Sequence, residues 1–155
     1  QAARDWSGWP ENWLSTLLSA SYYLLFVSPQ DPTALSRAIQ FAEVAEKYSV
    51  DSLPGYRDAA LLKTNHAHAL ILRDGTGDRD KAITLYRDFI GFHDLPNSSY
   101  LEKNHWELLQ KDFRDLHAAK VQLPRLRELI QEIKPADVQI SPEDWRDMGG
   151  SAIKE

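Results

Sequence analysis

The sequence predicts an all-α protein: three stacked antiparallel helical hairpins followed by a short C-terminal extension. Three observations predict it. The chain has no extended period-2 alternation and no Asn-Gly hairpin turn, so strands have no support. Residues that start and stop helices recur along its length. Pairs of apolar residues return at a constant spacing, as stacked equivalent units require.

Taken in order, Pro10 stands at a first helical position, and a helix is expected from there to about Val27. Its apolar run, WLSTLLSASYYLLFV at 13–27, has 15 residues and three serines. A bilayer needs about 20 apolar residues, so the run reads as a buried helix and no membrane insertion is expected. SPQDP ends it. Asp31 caps the second helix, with Pro32 in its first turn, to about Tyr48. Pro54 opens the third, to about Arg73. DGTGD at 74–78 is the turn, its glycines allowing positive φ, and Asp78 caps the fourth helix, to about Phe92. HDLPN ends that helix. Ser99 and Glu102 form a capping box for the fifth, to about Ala119. Pro124 opens the sixth, to about Lys134, and Ser141-Pro142 start a short helix over 141–147. The hairpin domain is thus 1–134, and 135–155 is the extension.

The faces agree. In the fifth helix Leu101, Trp106, Leu108, Leu109, Phe113 and Leu116 fall near one stripe, with Lys103, Glu107, Gln110 and Arg114 off it. The third helix is apolar on more sides, through Ala59, Leu62, Ala67, Ala69, Leu70 and Leu72, and is expected to be covered on two faces. The pairs Ala38-Ile39 and Ala82-Ile83 lie 44 residues apart, as do Leu17-Leu18 and Leu61-Leu62. A third unit follows at a shift of 47, through Leu108-Leu109 and Leu129-Ile130. Within each unit the two pairs are 21 residues apart. The competing arrangement is a six-helix bundle without repeats.

The stretch GDRDKAITLYRDFI at 77–90 resembles the tetratricopeptide repeat: a Gly-Asp turn, then a small residue, then an aromatic four positions on. Gly77, Ala82 and Tyr86 carry the match. Ala38 and Ala42 match more weakly, and the units here are longer than the family's roughly 34 residues. The resemblance implies a right-handed α-solenoid whose first helices in each hairpin line a peptide-binding groove. Arg57, Thr64 and His68 lie off the apolar stripe of the third helix and would face that groove, with Asn65 and Lys103 as further candidates. Lys63 with Ala67 does not reproduce the family's clamp for chaperone tails. Trp6 and Trp9, with Trp13, offer either an aromatic anchor for a partner or a cap over the open end of the stack.

Enzymatic chemistry has little to stand on. His66 and His68 point about 200° apart on a helix and cannot share a metal. Glu102 and His105 have E-x-x-H spacing, but no second copy completes a di-iron set. DGTGDRD lacks the alternating oxygens of a calcium loop. No nucleophile elbow, phosphate loop or dinucleotide fingerprint is present. There are no cysteines, so thiol chemistry and Cys-based zinc sites are excluded. No cofactor or metal is expected. A net charge of −5 argues against nucleic acid and anionic lipid as partners. Asn97-Ser98-Ser99 is a glycosylation acceptor by pattern alone.

The expected function is therefore a non-enzymatic module that binds another protein or a peptide: a scaffold, an adaptor, or an immunity- or inhibitor-type protein. The enzyme alternative is a small hydrolase or metal-dependent enzyme using His105 with Glu102 or Asp112. A structural oligomerisation module is the third reading. The location expected is cytoplasmic, or exported if a leader precedes Gln1.

Overall fold

A computed structural model describes residues 30–49, 56–91 and 105–150, with side chains over 30–44, 62–91 and 105–150. The described residues form six helices and no strand: α1 (Pro32–Ser49), α2 (Tyr56–Arg73), α3 (Asp78–Ile90), α4 (His105–Ala118), α5 (Leu126–Ile133) and α6 (Pro142–Met148). The expected helix over 10–27, the Pro54 start and the Ser99–Glu102 capping box lie outside the described residues. None of the described helices is long and apolar enough to cross a membrane.

The helix starts follow local chemistry. Asp31 Oδ1 accepts the Thr33 N–H at 2.9 Å, with Pro32 as the first helical residue of α1. Ser141 Oγ accepts the Asp144 N–H at 3.0 Å ahead of Pro142, starting α6 in the same way. The start of α3 differs from the sequence expectation. Gly77, at φ +80°, is the capping residue, and Asp78 is the first residue of the helix. The Asp78 carboxylate turns back instead, accepting from Arg73 Nε at 2.7 Å, Arg73 Nη2 at 2.8 Å and the Gly75 N–H at 2.9 Å. A bidentate guanidinium is a stronger partner than an exposed helical N–H. The turn is thereby stapled to the last residue of α2. Asp74 and Gly77 take the positive φ angles, at 52° and 80°. Gly75 serves by its smallness, since a Cβ there would stand 2.9 Å from Asp78 Oδ2.

α2 is the central element and packs against both α1 and α3. Every residue from Thr64 to Ile71 is buried, polar ones included. Small side chains bring the helices together: Ala38 and Ala42 on α1, Ala67 and Ala69 on α2 and Ala82 on α3 are all 0% exposed. Leu35, Ile39, Leu70, Ile71, Ile83 and Phe89 fill the space between.

On α4 the stripe Trp106, Leu109, Phe113 and Leu116 is buried as expected, while Leu108 is only half-buried. Among described helices α4 packs most closely on α6, and α5 packs on α3 rather than pairing closely with α4. Arg87 on α3 also donates to the Glu132 carbonyl at the end of α5. From α6, Trp145 and Met148 join the same core cluster as the helices before it. The Arg127 guanidinium lies 4.4 Å from the centre of the Trp145 ring, a cation–π contact tying α6 to α5.

Two helices end in the same hydrogen-bond pattern with different residues. At the end of α6 the N–H groups of Gly149 and Gly150 bond to the Arg146 and Trp145 carbonyls, with Gly149 at φ +93°. At the end of α4 the N–H groups of Lys120 and Val121 bond to the His117 and Leu116 carbonyls, with Lys120 at φ +65°. Buried Val121 completes that second cap through its apolar side chain. A side chain in the left-handed region costs about 1–2 kcal/mol relative to glycine.

The stapled turn yields a prediction. The Arg73 hydrogen bonds hold the Asp78 carboxyl below the usual carboxylate range, against the opposing effect of burial. A lowered folded value contributes stability above the unfolded value of about 4, and that stability is lost as pH falls below it. Asp78→Asn should cost roughly 1–2 kcal/mol at pH 7. The gap between the two proteins should close as the pH is lowered from about 4, measured by urea unfolding across pH.

Candidate functional site

The one chain of buried titratable side chains among the described hydrogen bonds centres on His68, in the middle of α2. Its Nδ1 lies 2.7 Å from the Tyr86 hydroxyl of α3. Its Nε2 lies 3.0 Å from Asp112 Oδ2 of α4. An ionised carboxylate only accepts, so Nε2 carries a proton and donates to Asp112. In the neutral ring Nδ1 is then an acceptor, and the Tyr86 O–H donates to it. Both ring nitrogens are thus engaged, and three helices meet at one imidazole.

Phe113 closes the group. The rings of His68, Tyr86 and Phe113 form a triangle with centroids 5.6, 5.7 and 5.8 Å apart, all tilted. Such tilted pairs suit the aromatic quadrupole. His68 is 1% exposed and Tyr86 0%, while the Asp112 carboxylate is 23% exposed. Burial pushes the Tyr86 hydroxyl well above its ordinary value of 10.0, and the nearby Asp112 charge adds to this. A phenol so placed stays protonated and serves as a hydrogen-bond donor. Through these bonds the arrangement cross-links α2, α3 and α4.

Three of the residues expected to line an open trough lie in the interior. Thr64, Asn65 and His68 are buried. Thr64 and His68 lie off the apolar stripe, as the sequence indicated, but α2 is buried all round over 64–71, so a polar position there is an interior one. For His68 the interior supplies partners for both nitrogens. Arg57 lies near the start of α2, and its side chain is outside the described residues, as are Lys103, Trp6 and Trp9. His105 and Asp112 are not brought together. His105 is buried and stacks on Phe89 at 5.0 Å, whereas Asp112 engages His68. Seven residues apart, the two stand about 10 Å apart along α4. Glu102 lies outside the described residues. Among the described residues no group of three or more His, Asp or Glu is placed to hold a metal.

A second feature lies at the loop end of the molecule. The start of α1, the end of α2 and the 120–124 loop enclose a half-open groove of about 480 Å³. Sequence reading missed both this groove and the Tyr86–His68–Asp112 chain. The only signal for Lys120 was a helix end at 119–120 with no glycine to follow it. No family model matches the chain, and no curated protein or solved structure does either.

Removing the Tyr86 hydroxyl leaves a buried acceptor on His68 unfilled, so Tyr86→Phe should destabilise by about 1–3 kcal/mol. Because the folded hydroxyl value is raised, its contribution is fully present below pH 10 and falls as the pH rises beyond it. Urea unfolding at successive pH values above 9 should show the wild-type stability falling more steeply than that of Tyr86→Phe. Asp112→Asn keeps an oxygen acceptor and should cost less than Asp112→Ala.

Proposed function

We propose that the protein is a non-enzymatic binding module for another protein or a peptide, built as a tetratricopeptide-like α-solenoid. The observation that carries the reading is the use made of His68. The constellation that most resembles catalytic machinery has both ring nitrogens filled by the scaffold, with its hydroxyl wholly buried. It holds α2, α3 and α4 in one fixed arrangement, and a fixed surface loses less conformational freedom on binding.

Two further observations support it. α2 packs on both α1 and α3, the alternation that hairpin stacking calls for. Ala82 and Tyr86, two of the three residues that carry the resemblance, are both fully buried. The inference of function from fold is by analogy, and its partner is a protein or peptide rather than nucleic acid, in keeping with the charge of −5.

The test is reconstitution. A partner recovered from the native source on immobilised chain, then produced alone, should form a complex of fixed stoichiometry with the purified chain by light scattering. If the chain self-assembles and no partner forms such a complex, it is an oligomerisation module. A stoichiometric metal in the purified chain that disappears in His105→Ala would replace this reading with the enzymatic one.

A further inference from the structure

We propose that the groove at the loop end binds a short peptide segment carrying one carboxylate beside an apolar side chain. This rests on the binding-module reading above and specifies the partner's chemistry. The groove, about 480 Å³, falls within the roughly 300–1,000 Å³ of ordinary ligand sites. Leu35, Leu72, Val121 and Pro124 give it apolar walls.

Its charge is one-sided. Arg73 and Lys120 line it, and among the described residues no acidic one does. Arg73 is already neutralised, since its Nε and Nη2 are bonded to Asp78. Lys120 is exposed and makes no ion pair among the described residues. One uncompensated positive charge therefore stands beside an apolar hollow, in a chain whose net charge is −5. That combination complements a single negative charge joined to an apolar group.

The backbone points the same way. Lys120 occupies the left-handed cap position of α4, at φ +65°, where α6 has Gly149. Glycine there would relieve the backbone and remove the ammonium. Lys120 shares this conformation with Asp74 and Arg125, and at its position the side chain puts a cation at the groove.

Amide NMR on the isotope-labelled chain tests this, with acetyl-Leu-Glu-Leu-amide as probe and the same peptide with Gln or Lys in place of Glu as controls. The Glu peptide should give saturable shifts confined to 30–35, 72–73 and 120–124. The Gln peptide should bind about three- to fivefold more weakly, and the Lys peptide not measurably. Lys120→Gly should raise the thermal midpoint yet bring the Glu peptide down to the Gln level. Lys120→Gln, which keeps a side chain at that position, should lose the preference equally. Absence of saturable shifts, equal binding of the Lys peptide, or a preference that survives both variants would overturn the proposal. Failure here with the reconstituted complex intact removes the groove and leaves the module. Peptide binding with no protein complex removes the folded-protein partner and leaves a peptide-binding module.

Discussion

A histidine in the middle of a buried helix constrains everything around it. An imidazole in an apolar interior must have its donor and its acceptor both matched, since an unmatched polar atom there costs about 1–3 kcal/mol. In this protein the donor is matched by Asp112 from α4 and the acceptor by Tyr86 from α3. Each match fixes the height and rotation of one helix against α2. Apolar packing alone tolerates sliding, because one leucine can replace another in a contact. Hydrogen bonds of 2.7 and 3.0 Å do not tolerate it. The alanines at the α1–α2–α3 contacts then set how close the helices come, and the polar chain sets where along their length they meet.

The helices themselves were readable from sequence. Asp31-Pro32 and Ser141-Pro142 are local signals, and the chain near them decides the outcome, so they mark helix starts in the structure as expected. The stripe Trp106, Leu109, Phe113, Leu116 likewise reports one buried face. The position of Asp78 fits a cap, whereas Arg73, five residues back, competes for the carboxylate more strongly. Nothing in the local pattern ranks those two partners. Thr64, Asn65 and His68 look like trough residues in sequence for a related reason. Being off an apolar stripe marks a residue as polar-facing only when one side of the helix meets water, and α2 has no such side over 64–71. His68 and Asp112 are 44 positions apart, and no periodicity names a partner at that range.

The loop end shows how the two kinds of helix terminus differ in consequence. Where α6 stops, Gly149 fits against His117 and Gln122 so closely that a Cβ would stand 2.8 Å from the imidazole. Where α4 stops, Lys120 takes the same backbone shape with its side chain outward. One terminus is spent on packing, the other on charge. Beside it, Arg73 and Asp78 keep the α2–α3 turn rigid, so the groove that Lys120 edges has a firm wall on that side.

The docking of α6 on α4 also bears on the order in which the molecule assembles. α1, α2 and α3 contact their neighbours along the chain, so they can associate as soon as they leave the ribosome. α4 cannot finish its packing so early, because Trp145 and Met148, which belong to the same core as Trp106 and Leu116, are made later than α4 itself. Until residues 145–148 have been made, the part of that surface that α6 covers, Trp106 included, waits without it, an apolar face of the kind that draws nascent chains together.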